Sequence, residues 1–296
     1  MPELPEVETV RIGLTRFLPG RQVVAVTHDN PISFPNAPED VKKFLISAKV
    51  LHVKRRAKVL LIELDTKYSL VIHLKMTGQL VFVSGQQRFG AGHPNDSLIN
   101  ELPDKSTHVT FEFDDGSHLY FNDQRKFGWV RLLPTAEVPN IDFFKRVGPE
   151  PLSAEFTPKI FRERLARRAN TSVKAALLDQ SVLAGVGNIY ADEALWGAKI
   201  YPGTLVKNVS TAKLNTLFTT IRDVLQLSIE KGGSSDKNYV NAEGQKGSYL
   251  AFASVFRREG KPCPRCGTTI LKSRVAGRGT HTCPKCQNLR SFDLKV

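Results

Sequence analysis

The sequence predicts an α+β chain of several domains: an N-terminal antiparallel β-sandwich that begins with a helix, then a helical region and a four-cysteine segment. Three observations predict this class. At 296 residues, the chain exceeds the size of one average domain. Short β-branched and aromatic runs occupy residues 22–133, and helical periodicity replaces them after residue 158.

The first element is an amphipathic helix over residues 5–18. Its apolar residues recur at helical spacing, and they are Val7, Val10, Leu14, Phe17 and Leu18. A proline at position 5 suits the first turn, and the acidic residues that follow suit the positive end of the helix dipole.

Pro2 stands just before this helix, behind an initiator Met1. If Met1 is trimmed, Pro2 presents a secondary amine at the N-terminus. An α-amino group titrates near ~7.7 to 8.0, so part of it is neutral and can form a Schiff base with an aldehydic carbon. The carboxylates of Glu3 and Glu6 are placed to transfer protons. The same pattern also suits an ordinary helix start, and the residues alone leave both interpretations open.

Seven runs predict strands, at residues 23–26, 59–64, 70–74, 80–83, 109–113, 118–121 and 129–133. Their spacing predicts an antiparallel sandwich or barrel. Residues 84–105 are rich in Gly, Gln, Asn, Asp and Pro, and they predict a mobile surface loop.

Helical patterns follow at residues 158–169, 172–183, 189–197 and 210–231, and residues 232–247 are polar and Gly-rich. That last stretch suits either a substrate lid or a flexible connection. The resulting division is 1–136 for the β domain, 137–157 for a linker, 158–231 for the helical domain, 232–256 for a loop and connector, 257–290 for the cysteine segment and 291–296 for a tail.

The net charge of +13 is unevenly placed. Residues 1–150 hold 19 Lys and Arg against 18 Asp and Glu, whereas residues 151–296 hold 23 against 11. This asymmetry predicts a polyanionic partner, and nucleic acid is favoured over a membrane surface because no basic amphipathic segment accompanies it. A basic surface kept for solubility is the alternative. No long apolar run or signal-like segment is present, so we expect a soluble intracellular protein.

The four cysteines lie in two C-x2-C pairs separated by sixteen residues, and they are Cys263, Cys266, Cys283 and Cys286. Paired knuckles at this separation bring four thiolates to the corners of a tetrahedron, which suits a structural Zn²⁺. Disulfides are the alternative, disfavoured in a cytosolic protein.

Several exposed-looking side chains suit DNA binding. Arg125 and Phe127 lie in a loop between two predicted strands, where an exposed Phe beside Arg suits a probe of a base stack. Met76, at a strand end, is a flexible wedge or an ordinary core residue. The cluster at 54–58 is a solvated basic face or a phosphate contact.

Two further segments suit phosphate binding. Glycines at 185 and 187 precede Asn188, a natural N-cap, and the backbone N–H groups of such a junction can hold a phosphate, although the residues alone favour a purely structural hairpin. Residues 275–281 predict a hairpin tip that presents Arg278, either to a phosphate or simply to solvent.

Together these motifs resemble the bacterial formamidopyrimidine-DNA glycosylases, which repair 8-oxoguanine. The resemblance covers nearly the whole chain in order: the N-terminal PELPEVET, residues 55–58, 73–78, 123–128, 177–193, 232–235, and the cysteine segment with 277–281. It implies an N-terminal β-sandwich bearing the catalytic helix, a helix-two-turn-helix domain and a zinc finger, with duplex DNA bound between the halves.

The resemblance also implies the site residues. Pro2 would attack C1′ of the damaged nucleotide, Glu3 would be the essential acid and base, and Glu6 would assist. Lys58 and Arg278 complete the implied catalytic set through phosphate contacts. The implied DNA-binding residues are Lys58, His73, Met76, Arg125, Phe127, Lys174, Asn188 and Arg278, with Met76, Arg125 and Phe127 filling the gap in the duplex and residues 232–250 covering the flipped base.

By this likeness the protein is a monomeric enzyme of the bacterial cytoplasm that removes oxidised purines and cuts the strand by β,δ-elimination, with one structural Zn²⁺ and no membrane partner. The sequence departs from the family pattern at Ala57, which replaces a common Gly, and at residues 255–258, where Val-Tyr-Gly-Arg is typical.

Three other interpretations compete. The sister group that excises oxidised pyrimidines typically begins Met-Pro-Glu-Gly and lacks the Arg-Lys-Phe-Gly element, so Leu4 and residues 125–128 argue against it. A non-catalytic, zinc-stabilised DNA-binding protein would leave Pro2 inert. An N-terminal-proline tautomerase explains the amine but neither the charge nor the finger.

Overall fold

The computed structural model describes residues 2–93, 95–234 and 249–288. Within these ranges the chain forms two compact units. The first runs to Lys145 and takes up the chain again at Lys231, and the second runs from Arg146 to Glu230 and resumes at Tyr249. The domain boundaries inferred from the sequence stay a prediction.

The first unit contains helix α1 and nine strands. The helical elements are α1 (Leu4–Phe17), α2 (Pro38–Asp40), which continues into the turn Val41–Leu45, the short 3-10 turns Asp96–Leu98 and Thr135–Asn140, and α3 (Asp142–Arg146) at the end of the unit. The strands are β1 (Val23–His28), β2 (Val50–Arg56), β3 (Val59–Leu64), β4 (Tyr68–His73), β5 (Gly78–Ser84), β6 (Gln87–Gly92), β7 (Thr107–Phe113), β8 (His118–Asp123) and β9 (Trp129–Pro134).

These strands form two antiparallel sheets, in the orders β1-β7-β8-β5-β6 and β2-β3-β4-β9. One apolar core takes side chains from both sheets, such as Phe82 and Ile72. Val10 and Leu14 of α1 enter the same core, because residues four apart share one face of a helix. The predicted N-terminal sandwich with its leading helix is confirmed.

The prediction of a loop over residues 84–105 is wrong in its first part, because β6 lies there. Its residues have poor strand propensity, yet they pair with β5 from Gln79 opposite Gly92 to Ser84 opposite Gln87. Phe89 of this strand is buried and fills the space left by Gly13 of α1, where a Cβ would overlap the ring. Tertiary packing therefore decides the structure of this segment over local preference.

The second unit consists of helices and one hairpin. Its elements are α4 (Pro158–Ala166), α5 (Val173–Leu178), α6 (Asn188–Gly197), the 3-10 turn Val206–Asn208, α7 (Thr211–Glu230), α8 (Tyr249–Phe252), β10 (Leu271–Val275) and β11 (Arg278–Thr282). The predicted helix over 172–183 ends early at Leu178. Asp179 accepts hydrogen bonds from Ser181 N–H (2.9 Å) and Ser181 Oγ–H (2.7 Å), and such a side-chain turn competes with helix continuation.

The apolar core of this unit includes Phe161, Leu177, Tyr190 and Leu217, contributed by four different helices. None of the helices in the described part of the chain combines the length and the apolar content needed to cross a membrane.

Candidate functional site

The start of α1 holds a compact cluster of carboxylates beside Pro2. Pro2 is buried, and Glu3 follows it as the N-cap of α1. Glu3 and Glu6 form a reciprocal capping box, in which Glu3 N–H donates to Glu6 Oε2 at 2.8 Å. Both carboxylates are almost fully buried. The helix start thus fixes two buried carboxylates beside the residue predicted to be the nucleophile.

Glu6 also binds the start of the 232–250 segment, which is predicted to cover the flipped base. Its Oε1 accepts a hydrogen bond from Ser234 N–H at 2.8 Å. Gly233 has φ +86°, and a Cβ there would lie 3.3 Å from Glu6 Oε1, so glycine suits this position on both counts. Residues 235–248 of the predicted 232–250 segment lie outside the described residues.

A salt bridge ties α1 to the turn that carries Lys58. Arg55 Nε donates to Glu8 Oε2 at 2.8 Å, and Arg55 Nη1 donates to the carbonyl of Ala57 at 2.8 Å. Burial raises the pKa of Glu8, but Arg11 and Arg55 outweigh it, so the net pKa lies below the ordinary value. Ala57 keeps a left-handed backbone with φ +55°, which accounts for the glycine that is common here in the resembling family.

His73 ends β4 and pairs with Val59, next to Lys58. Burial, together with the nearby charges of Lys75 and Lys58, lowers the pKa of His73 to about 3. The neutral ring accepts Lys75 N–H at Nδ1, at 2.9 Å. The remaining proton therefore sits on Nε2, which makes His73 a neutral hydrogen-bond donor.

Two adjacent turns of the first unit expose apolar side chains. Phe127, in the turn between β8 and β9, is 53% exposed, and Met76, between β4 and β5, is 38% exposed. The turns are adjacent because β5 pairs with β8, with Gly78 opposite Asp123. The Arg125 guanidinium lies 4.9 Å from the centre of the Phe127 ring. The structure thus brings together the three side chains predicted to enter the duplex.

In the second unit, the hairpin of β10 and β11 carries Arg278 at its tip. Val275 pairs with Arg278 across the turn. The Gly279 carbonyl, one residue further, accepts hydrogen bonds from Lys174 Nζ and from Asn188 Nδ2, both at 3.0 Å. Three of the predicted DNA-binding residues therefore converge on one hairpin tip.

Lys174 is fully buried, and its ammonium group is held by the protein itself. Nζ lies 2.6 Å from Asp192 Oδ1 and 2.7 Å from Thr280 Oγ1. Asp192 Oδ2 in turn accepts His281 N–H at 2.9 Å. What the structure assigns to Lys174 is thus a tie between α5, α6 and the hairpin, and its direct contact with DNA stays a prediction.

Glu193, the neighbour of Asp192 on α6, holds the chain that leads into the finger. Its carboxylate accepts the backbone N–H groups of Ser254, Val255 and Phe256 at 2.7, 2.9 and 2.7 Å. Burial raises the pKa of Glu193, and the three hydrogen bonds oppose that shift. Sequence reasoning gave neither acid a role, although two acids in the otherwise apolar stretch 189–197 are the signal that was available.

The Sγ atoms of Cys263, Cys266, Cys283 and Cys286 lie within 4.8 Å of one another. Four thiolates at such separations fit one tetrahedral Zn²⁺. Trp196 of α6 donates its Nε1–H to Cys263 Sγ at 3.4 Å, and Arg265 covers the Trp196 ring at 3.9 Å. The four cysteines predicted to form a metal centre are confirmed as one cluster, and the contacts of Trp196 join this cluster to α6.

Three domain families match the chain: the formamidopyrimidine-DNA glycosylase N-terminal domain at residues 1–130, the formamidopyrimidine-DNA glycosylase H2TH domain at 147–239, and a zinc finger found in FPG and IleRS at 260–289. The formamidopyrimidine-DNA glycosylase of Pelotomaculum thermopropionicum is 41% identical over 292 residues, which cover 98% of this chain and 100% of the relative.

Two solved structures have a TM-score of 0.85 and 35% identity, and each match covers 97% of this chain and 100% of the other. One is a complex of a Lactococcus lactis FPG variant with DNA containing Fapy-dG. The other is a complex of Lactococcus lactis Fpg with DNA containing an abasic site.

Proposed function

Because this chain belongs to the formamidopyrimidine-DNA glycosylase family, we propose that it removes oxidised purines, namely 8-oxoguanine and formamidopyrimidines, from duplex DNA. The proposal includes a second activity, cleavage of the strand at the resulting abasic site. The Lactococcus lactis relatives were solved with Fapy-dG and with abasic-site DNA, which are the substrates of these two steps. We expect the enzyme to act in the bacterial cytoplasm, where the chromosome lies.

The observation that carries the proposal is the position of Pro2, directly before the buried pair Glu3 and Glu6. Once Met1 is removed, the Pro2 nitrogen forms a bond to C1′ of the damaged nucleotide, and the bond from C1′ to the base breaks. The departing base takes a proton, and Glu3 is the group placed to supply or relay it.

The C1′–O4′ bond of the sugar then breaks, O4′ takes a proton, and C1′ is left as an iminium carbon on Pro2. This iminium acidifies the protons on C2′. Loss of one such proton expels the 3′ phosphate by β-elimination, and a further elimination expels the 5′ phosphate. Hydrolysis then frees Pro2. No oxidant enters these steps. We propose that Glu6 assists by fixing Glu3 through its hydrogen bond to Glu3 N–H.

The damaged nucleotide must leave the base stack before C1′ can be reached, and unstacking costs a few kcal/mol. We propose that Met76, Arg125 and Phe127 offset this cost by filling the gap, with Arg125 facing the orphaned cytosine. Their exposure on adjacent turns supports this role.

Phosphate binding is proposed for the donors of both units. In the first unit these are Lys58 and the Nε2–H of the neutral His73. In the second unit they are Asn188 and Arg278, with Lys174 beside them. Helix N-termini and guanidinium groups are favourable partners for phosphate. The zinc ion would stabilise the fold of the finger that presents Arg278, held by the four cysteines.

The decisive test is borohydride trapping of the Met1-free protein on a duplex with 8-oxoguanine opposite cytosine. We expect a covalent adduct whose mass maps to Pro2. The P2G variant should trap weakly, and a form that retains Met1 should not trap at all. The matched control is P38G, because Pro38 also begins a helix but lies outside the site.

Efficient strand cutting by the Met1-retaining form, or an adduct mapped to a lysine, would refute the Pro2 mechanism. A parallel duplex with an oxidised pyrimidine tests the substrate class. Faster excision of the pyrimidine would favour the sister group instead.

A further inference from the structure

Asp123 is a buried carboxylate at the root of the exposed loop that carries Arg125 and Phe127. It is the last residue of β8 and its exposure is 0%. Aspartate is seldom fully buried unless its oxygens are satisfied by hydrogen bonds or charges. Its partners therefore indicate what it is for.

Both oxygens of Asp123 bind the two turns that expose the proposed wedge residues. Oδ2 accepts the backbone N–H groups of Phe127 (2.9 Å) and Gly128 (2.6 Å). Oδ1 accepts the backbone N–H of Arg125 (3.2 Å) and the hydroxyl of Thr77, which is the neighbour of Met76. One carboxylate thus joins the turn after β4 to the loop after β8.

The close approach depends on glycine. A Cβ on Gly128 would lie 3.1 Å from Asp123 Oδ2 and 2.6 Å from the Phe121 ring. Lys126, inside the loop, has φ +56°, a conformation that costs an L-residue about 1 to 2 kcal/mol in general. The carboxylate therefore holds the loop in an arrangement that its own residues do not favour.

The backbone of Asp123 is fixed from the opposite side. Its N–H donates to the Ser106 carbonyl at 2.7 Å, and its carbonyl bonds His108 Nε2 at 2.9 Å. The other ring nitrogen of His108 lies 2.8 Å from Asp29 Oδ1. The carboxylate is thus a rigid anchor set in the five-stranded sheet rather than a mobile side chain.

We propose that Asp123 is a positioning residue that locks Met76, Arg125 and Phe127 into one preorganised wedge. It touches no DNA itself. Its effect is to place three side chains on two turns at fixed relative positions before the duplex binds. The conformational entropy of these side chains is then already lost on folding and does not add to the free-energy cost of extruding the nucleotide. This inference rests on the proposed function.

The test is the D123N variant. Asparagine keeps the size and shape of aspartate, but it replaces one acceptor oxygen by an NH2 group, which cannot accept the hydrogen bonds of the two donors that point at that oxygen. We expect single-turnover excision of 8-oxoguanine from duplex DNA to fall by about 100-fold, the cost of a small misplacement of binding groups. Cleavage of a single-stranded abasic oligonucleotide should stay within about twofold, because no stack has to be opened.

The matched control is D115N. Asp115 also accepts a backbone N–H, that of Ser117 at 3.0 Å, but it lies in the turn at the opposite end of β8. D115N should leave both activities within about twofold of wild type. T77V is a milder second variant, and a smaller loss confined to duplex excision would support the proposal even if D123N folds poorly.

A mutant cycle separates positioning from general stability. In a background in which Met76, Arg125 and Phe127 are all replaced by alanine, D123N should cost less than about threefold in duplex excision, because the three side chains that it positions are already absent. An equal loss in both backgrounds, or equal losses on duplex and single-stranded substrates, would overturn the inference. Failure of the proposed function is distinct, since wild type would then not excise the base at all.

Discussion

Replacing Lys174 with methionine should destabilise the second unit by about 3 kcal/mol. Lys174 and Asp192 are both fully buried, 2.6 Å apart. Methionine keeps most of the volume but leaves the Asp192 carboxylate without its cation. It also removes the donor to the Gly279 carbonyl and to Thr280.

The magnitude follows from what remains around Asp192. Breaking a buried ion pair from one side costs about 3 to 5 kcal/mol in general. We expect the lower end, because His281 N–H still donates to Asp192 Oδ2 at 2.9 Å. For a unit of this size, 3 kcal/mol corresponds to a fall of about 10 °C in melting temperature.

The chain offers a reporter for this unit alone. Its two tryptophans are Trp129, in the first unit, and Trp196, in the second. In a W129F background, thermal unfolding followed by fluorescence reports on Trp196 against the finger. The control is K272A, since Lys272 pairs with Glu259 on the surface and such pairs contribute at most about 1 kcal/mol.

The reasoning is refuted if K174M melts within about 3 °C of its parent, because that is close to the effect of an exposed pair. A cycle with D192L adds a second condition. The double variant should cost about 3 kcal/mol less than the sum of the two single variants, and additive losses would contradict a direct ion pair.

Three further outcomes follow from the structure. G13A should destabilise the first unit by about 1 to 3 kcal/mol, because its Cβ overlaps the Phe89 ring, and F89A should relieve part of that loss in melting followed at Trp129. The pKa of His73 is about 3 in the folded protein, below its unfolded value of 6.5. The neutral ring therefore makes its full contribution to the free energy of unfolding above pH 6.5, and this contribution declines as the pH falls toward 3. Urea titrations should give a free energy of unfolding about 2 kcal/mol lower at pH 5 than at pH 7, and H73N should not show this difference. If H73N shows the same difference, another group causes it. Chelation of the metal should change the fluorescence of Trp196 and weaken binding to damaged and undamaged duplex alike, whereas unchanged emission would argue against a metal beside it.

Local patterns predicted most of the architecture because most elements follow local rules. The apolar periodicity of α1 predicts a helix, and the β-branched and aromatic runs of β3, β4 and β7 predict strands, without reference to the rest of the chain. Strand β6 does not, because its formation depends on pairing with β5 and on the space above Gly13. No window of sequence contains both of those partners.

The residues of the candidate site also fall into those that a local sequence pattern predicts and those that depend on distant partners. The cysteine spacing is a local signal, and the four sulfur atoms meet as it predicts. Burial of Lys174 is not local, because its partners Asp192 and Thr280 stand 18 and 106 residues away. Asp123 belongs to a motif identified in the sequence, but the sequence assigned it no role. Its four hydrogen-bond donors come from two different turns, which only the fold brings together.

The neighbouring acids of α6 make that helix intolerant of any change in register. Asp192 fixes the hairpin while Glu193 fixes residues 254–256, and Asn188 reaches the hairpin from the first turn of the same helix. Successive residues turn by about 100° around a helix axis. A single inserted residue between positions 189 and 191 would swing both acids away from their partners together. Homologous chains should therefore tolerate exchanged side chains in this helix far more readily than altered length.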